Sequence, residues 1–283
     1  MAARPGKRRQ NTLTTAPNRS ERSYLQSHLP RPPNQSRQAC PLCTASTVDL
    51  CRHTCGEENA ALTSDWYTPP AGYEIPQAWN MSDRARTFLH DQVWTMILQG
   101  ESDPEIYTEM FSEDLEEAKV NEAEAQRFFA SMIDLRRTQQ RELGGLPDSA
   151  MRRAFAELAS VGVIARENFT CCGTCGSDEI WDERDDSRTW RGYIFYHEQD
   201  AERIPEDRET YLGYGAFLDA HIPEDEWNAL SEKARDKKYA RIVTDLMTND
   251  VFPILEKHGV RVTWDGDLGT RILLSDVDAY FAV

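Results

Sequence analysis

The chain of 283 residues has no run of about 18 consecutive apolar residues, the length that a helix needs to cross a bilayer. It also lacks the apolar stretch that follows the basic start of a secretory signal peptide, because the residues after Lys7-Arg8-Arg9 are polar. We therefore expect a cytoplasmic protein without a membrane span.

The sequence also lacks the regular cysteine spacing of an extracellular disulfide framework. Its seven cysteines are odd in number, and several are crowded together. Free thiols of this kind are typical of a reducing compartment, which again favours the cytoplasm.

Positive charge is scarce and unevenly distributed, since 32 Lys and Arg face 48 Asp and Glu, for a net charge of −16. Residues 1–58 hold nine basic and four acidic side chains, which leaves 23 basic and 44 acidic side chains, a balance of −21, for the rest. An acidic body repels phosphate backbones, which argues against nucleic-acid binding by the folded part. A basic protein is the kind of partner that this charge favours.

Residues 1–80 are rich in Pro, Ser, Thr, Asn, Gln and Arg, a composition that predicts a disordered basic extension. Within it, Cys-x-x-Cys is followed by Cys-x-His-x-Cys, which is compatible with a small zinc knuckle. The ligands of this weaker candidate site are Cys40, Cys43, Cys51, His53 and Cys55.

Residues 82–145 are predicted to form a helical subdomain. Apolar residues recur at helical spacing over 88–97. Asp103 followed by proline predicts the N-cap and first turn of a second helix. A third helix is expected over 122–141.

Residues 146–283 mix helical and strand patterns, which predicts an α+β fold with a small mixed or antiparallel sheet. Apolar residues alternate over 191–197, so we expect a strand with His197 and Phe195 on one face. Further expected elements are a strand at 211–217, a helical stretch at 223–258 and a terminal hairpin. Pro253 must kink or restart the helical stretch, because proline has no amide proton.

Three cysteines, Cys171, Cys172 and Cys175, lie within five positions. They follow a predicted strand and precede a helix expected over 177–183, where a helix N-terminus can lower the pKa of a thiol. Cys172 and Cys175 are also spaced to bind a soft ion such as zinc, with His197 supplying a nitrogen. Cys171 is a less suitable fourth ligand, because adjacent residues in an extended chain point to opposite faces.

Two other interpretations remain open. In a thiol enzyme, His197 and Asp200 would form an acid–base pair beside a nucleophilic Cys172, with Cys175 as the resolving thiol. Alternatively the cysteines and His197 only pack in the core, and the chain is a non-catalytic acidic interaction protein. The sequence does not decide whether the protein is an enzyme.

Four ordered segments resemble an uncharacterised bacterial family that is catalogued as a domain of unknown function. They are Phe-Thr-Cys-Cys-Gly-Thr-Cys-Gly (169–176), Arg-Gly-Tyr-Ile-Phe-Tyr-His-Glu-Gln-Asp (191–200), Tyr-Leu-Gly-Tyr-Gly-Ala (211–216) and Val-Thr-Trp-Asp-Gly (262–266). The resemblance covers about residues 82–280 and implies one unit with the extension outside it. It implies no mechanism, since the family has no established activity.

Overall fold

The computed structural model describes residues 65–283. The candidate zinc-knuckle ligands Cys40, Cys43, Cys51, His53 and Cys55 lie outside the described residues.

The N-terminal part of the described chain is helical, as predicted. Its helices are α1 (Asp83–Leu98), α2 (Pro104–Met110), α3 (Ser112–Glu117) and α4 (Glu122–Glu142). Asp103 caps α2 by accepting a hydrogen bond from the amide of Glu105, with proline in the first turn. Ser82 and Asn121 cap α1 and α4 in the same way.

Residues 65–80 belong to the folded structure, although the sequence analysis assigned them to the extension. Trp66, Tyr73 and Trp79 are each at most 4% exposed. The fully buried guanidinium of Arg136 in α4 lies 4.3 Å from the ring centroid of Trp66 and donates to its carbonyl oxygen at 2.7 Å. The average composition of residues 1–80 is polar and does not reveal that these aromatic residues are buried. Their burial stabilises the helical part.

The C-terminal part combines helices with a five-stranded sheet, so the α+β class is confirmed. Its helices are α5 (Ala150–Leu158), α6 (Gly173–Glu179), α7 (Glu198–Ala201), α8 (Ile204–Asp207), α9 (Glu224–Ala229), α10 (Glu232–Leu246) and α11 (Phe252–Lys257). Its strands are β1 (Val163–Arg166), β2 (Gly192–Phe195), β3 (Glu209–Ala216), β4 (Arg261–Thr263) and β5 (Ile272–Ser275). Within residues 65–283, no helix has both the length and the apolar character required to cross a membrane.

The sheet is mixed and has the strand order β1-β2-β3-β5-β4. Strands β1 and β2 are parallel, and the other neighbours are antiparallel. Strands β4 and β5 form the predicted terminal hairpin, in which Val262 pairs with Leu274.

The two faces of β2 follow the predicted alternation. Tyr193 and Phe195 belong to a small aromatic cluster with Phe217. Ile194 and Tyr196 face the larger core, which also contains buried residues of α5, α10 and α11. The sheet is therefore covered on both sides, and the smaller cluster lies on the side of α6, since Ile180 after that helix belongs to it.

The helical stretch predicted at 223–258 is divided into three helices. A π-helical turn, Met247–Val251, joins α10 to α11, and Pro253 occupies the first turn of α11. The backbone stays helical through this turn, since Leu246, Val251 and Phe252 all have right-handed helical φ and ψ angles, and the amide of Phe252 donates to the Met247 carbonyl oxygen. Proline has no amide proton, and the wider π-helical turn directly before it accommodates that loss without ending the helix.

Glycines allow close packing around Phe195. A Cβ atom on Gly176 of α6 would lie 2.4 Å from the Phe195 ring, and one on Gly213 of β3 would lie 2.7 Å from it. Gly213 also pairs in register with Phe195 across the sheet. Of the two explanations for the strand glycines, a bulge or a close approach, the structure supports the close approach.

We expect Gly176→Ala to destabilise the protein by about 1–3 kcal/mol, because the added methyl group has no space against Phe195. Gly173→Ala in the same helix is the control, since its Cβ would meet the His197 ring at an ordinary 3.6 Å. The control should be neutral or gain up to about 1 kcal/mol of helix propensity. Urea denaturation measures both; equal losses in the two variants would contradict the packing argument.

Candidate functional site

The candidate site lies at one edge of the sheet. Because β1 and β2 are parallel, their carboxyl ends meet at this edge, and the segments that follow them become neighbours. The amide of Phe169 donates to the Tyr196 carbonyl oxygen at 2.8 Å, and the amide of Glu198 donates to the Thr170 carbonyl oxygen at 3.1 Å. These two bonds hold residues 167–172, the cysteine loop between β1 and α6, beside His197.

The cysteine loop has a constrained backbone. Asn168 and Thr170 have φ angles of 49° and 61°, in the left-handed region. This conformation is unusual for a β-branched residue such as threonine. The Thr170 hydroxyl donates to the Cys172 carbonyl oxygen at 3.1 Å, which helps to hold the turn. Strain of this kind persists where the surrounding structure enforces it, and it is frequent at functional sites.

The loop brings three sulfur atoms together. The Sγ atoms of Cys171, Cys172 and Cys175 all lie within 4.8 Å of one another. The Cys171 and Cys175 sulfurs are 3.6 Å apart. Cys171 therefore belongs to the cluster. Cys172 itself has an extended backbone, with φ of −156° and ψ of 167°, so the convergence depends on the turns on either side of it, at Thr170 and at the start of α6. Helix α6 begins at Gly173, earlier than predicted, so Cys172 is its N-cap residue.

The three cysteines are accessible. Cys171 is exposed, and Cys172 and Cys175 are half-buried. None of them belongs to the hydrophobic clusters formed by residues 65–283. Their position does not support the hypothesis that they serve as core residues in a non-catalytic interaction protein. Binding of a basic partner through the acidic surface remains a separate prediction.

The sulfur atoms differ in their tendency to ionise. The backbone amide of Cys175 lowers the pKa of Cys172, with further contributions from the Cys175 thiol and the amide of Thr174. Hydrogen bonds with the Cys171 and Cys172 sulfurs, together with their charge, raise the pKa of Cys175 to about 12. Cys172 is therefore more readily ionised than Cys175.

His197 and Asp200 form a buried pair next to this cluster. They are 7% and 5% exposed, and Nε2 of His197 lies 2.8 Å from Oδ2 of Asp200. Asp200 also accepts a hydrogen bond from Arg271. Arg271 could not be identified from the sequence, since no local pattern associates it with a carboxylate 71 residues away.

His197 lies against the cysteine loop, but it is not part of the group of converging ligand atoms. A Cβ on Gly173 would be 3.6 Å from its Nε2 and Cδ2 atoms, so the ring contacts the residue after Cys172. Neither of its nitrogens belongs to the set of ligand atoms within 4.8 Å of one another. Its Nδ1 atom is buried and has no hydrogen-bond partner among residues 65–283. The role of His197 as ligand or general base remains a prediction.

Two opposing effects determine the charge of Asp200. Burial raises its pKa, but hydrogen bonds from His197 and Arg271 and the charge of Arg271 outweigh burial, so the pKa lies below its ordinary value. A carboxylate with a lowered pKa stabilises the folded state above its unfolded pKa. That contribution is lost as the pH falls through the folded pKa.

We expect Asp200→Asn to destabilise the protein by about 2–3 kcal/mol at neutral pH, because it breaks a buried ion pair whose arginine is partly exposed. The difference from wild type should begin to shrink as the pH falls below 3.8, where Asp200 is protonated in the unfolded chain, and should disappear once the pH is also below the lowered pKa of Asp200 in the folded protein. Urea denaturation between neutral and acidic pH measures this.

Asp207→Asn is the matched control for this series. Asp207 pairs with Arg203 at 3.3 Å on the surface, with its side chain 54% exposed. Its loss should cost less than about 1 kcal/mol. A similar cost for both variants at neutral pH would contradict the assigned importance of the buried pair.

Comparison with known families adds one finding. The sequence profile of a family described as a domain of unknown function, DUF6891, matches residues 82–278. The chain belongs to this family. The match confirms the resemblance inferred from the sequence motifs. No curated protein and no solved structure matches the chain.

Proposed function

We propose that this DUF6891 chain binds a thiophilic metal ion through Cys171, Cys172 and Cys175. The observation that supports the proposal is the convergence of the three sulfurs within 4.8 Å. In a tetrahedral zinc–thiolate site with bonds of about 2.3 Å, two sulfurs are separated by about 3.8 Å. The Cys171 and Cys175 sulfurs are already 3.6 Å apart, so only small movements are required.

The ionisation of the cluster also supports a cation. A metal ion binds thiolates, so each cysteine must lose its proton. The lowered pKa of Cys172 makes that loss easier than for an ordinary thiol. The pKa of Cys175 is raised by hydrogen bonds and charge from its sulfur neighbours, and a cation between the sulfurs would offset that repulsion. Zinc is our first candidate, because thiolate ligands suit it and one coordination position would remain for water.

The surroundings of the loop support a preorganised site. Helix α6 is held against Phe195 through Gly176, and two backbone hydrogen bonds fix the loop beside β2. A site whose ligands are held by packed elements binds with a smaller loss of conformational entropy.

We expect about one equivalent of zinc per chain when the full chain is purified with Cys40, Cys43, Cys51 and Cys55 replaced by serine. Elemental analysis measures it. Replacing any of the three remaining cysteines should weaken zinc binding by more than about tenfold, because even changes to residues that only hydrogen-bond to metal ligands often cost that much. Thr174→Ser, beside the cluster, is a control that keeps every sulfur. Zinc below about a tenth of an equivalent, also after incubation with excess zinc, would eliminate zinc as the ion of this site.

A second candidate function is thiol–disulfide or nucleophilic chemistry. It is favoured by the contrast between the lowered pKa of Cys172 and the raised pKa of Cys175. Cys172 would act as the nucleophile and Cys175 as the resolving thiol. We propose His197 as the general base in that case, with Asp200 orienting its ring.

In the metal-free protein, we expect iodoacetamide to alkylate Cys172 faster than Cys175 near neutral pH, because the thiolate is the reactive form. Mass spectrometry of digested samples gives the rate at each cysteine as a function of pH. The Cys172 rate should reach its plateau at a lower pH than that of an unstructured thiol peptide. An ordinary alkaline profile for Cys172 would eliminate this second function.

A further inference from the structure

Within the described residues 65–283, the cluster offers three ligands and no fourth. Among residues 65–283, the only group of ligand atoms that converge at metal-binding distances consists of the sulfurs of Cys171, Cys172 and Cys175. Structural zinc sites almost always have four protein ligands. With three protein ligands, the cluster has one fewer than a structural zinc site normally uses.

The imidazole of His197 is not part of the converging set of ligand atoms. Its Nε2 and Cδ2 atoms face Gly173, whereas Nδ1, which has no partner among the described residues, lies on the other side of the ring. Nε2 of His197 is bound to Asp200 at 2.8 Å, and Asp200 is also bound to Arg271. The amide of Glu198, the next residue, is bound to the carbonyl oxygen of Thr170. Turning the ring toward the sulfurs would break the pair with Asp200 and leave a buried carboxylate less well compensated. The site therefore keeps three sulfur ligands.

The cluster also opens toward solvent. Cys171 is exposed, so an ion at the sulfurs is reached directly from water. An ion that requires four ligands would have to retain a water molecule on this open side. An ion that is satisfied by three sulfurs would need no further ligand.

We propose, on the basis of the metal-binding function above, that the cluster selects thiophilic centres completed by three sulfur ligands, namely trivalent arsenic or monovalent copper. Thiolates favour soft centres of this kind. Their common requirement is three converging sulfurs with no fourth ligand, which is what Cys171, Cys172 and Cys175 provide.

The arsenic reaction is a condensation without redox change. Arsenous acid, As(OH)₃, reacts with three thiols to form As(S-Cys)₃ and three water molecules. Each S–H and As–O bond breaks as an As–S bond and an O–H bond form. Where a cysteine starts as thiolate, the departing hydroxide takes its proton from solvent and leaves as water. Monovalent copper instead replaces the thiol protons, which pass to the buffer.

The test uses the full chain with Cys40, Cys43, Cys51 and Cys55 replaced by serine, so that three thiols remain. One equivalent of arsenite should produce one adduct, in which one arsenic atom replaces three hydrogen atoms in the mass spectrum. All three thiols should become unreactive to a thiol reagent. In competition, arsenite or monovalent copper should displace bound zinc. The copper experiment is done without oxygen, which would oxidise monovalent copper, and a coloured chelator competes with the protein for the ion.

Cys171→Ser in the same background is the matched variant, because it keeps the Cys172 and Cys175 pair and replaces only an exposed side chain. Its affinity for arsenite should fall by more than about tenfold, the order expected for loss of a ligand. Its unfolding midpoint should match that of the parent, which shows that the fold is intact.

Each outcome has a defined meaning. Consumption of three thiols by either ion supports the inference and identifies the ion. Loss of only two thiols per ion, or equal affinity in Cys171→Ser, overturns it. Zinc binding through the three cysteines that neither competitor displaces also overturns it, but leaves the proposed metal-binding function intact. Failure of every ion to bind overturns both.

Discussion

Strands β1 and β2 run parallel, with Val163 opposite Gly192 and Arg166 opposite Phe195, and the candidate site depends on this pairing. Parallel neighbours end at the same edge of a sheet, so the segments that follow them meet. The connection between the two strands carries the cysteines and α6. The same pairing places His197 beneath the cysteine loop, where it contacts Gly173.

The site combines an accessible half with a buried half. The three sulfurs reach solvent, whereas His197 and Asp200 lie in the interior and are held by Arg271 before the last strand. The buried half therefore links α7, which follows β2, to the residue before β5, two strands away in the sheet. This division suits a reactive or metal-binding site, because ligands must have access to the thiols while the buried residues that position them stay fixed.

Local patterns were sufficient for much of the fold. The N-cap at Asp103, the alternation along β2 and the interruption of regular α-helix before Pro253 all depend on residues close together in the chain. The start of α6 at Gly173 was not predicted, because glycines are weak helix formers and the packing of Gly176 on Phe195 compensates. The burial of Trp66 was missed because its partner, Arg136, lies 70 residues away.

For the candidate site, the sequence by itself determined that three thiols would be close together, since five consecutive positions cannot separate them by far. Only the tertiary structure decided that their sulfurs converge, and that the nearby imidazole is bound to a carboxylate and an arginine. Local spacing limits the distance between neighbours in the chain. The direction of a side chain, by contrast, depends on strand pairing and on contacts between distant residues, as for Asp200 and Arg271.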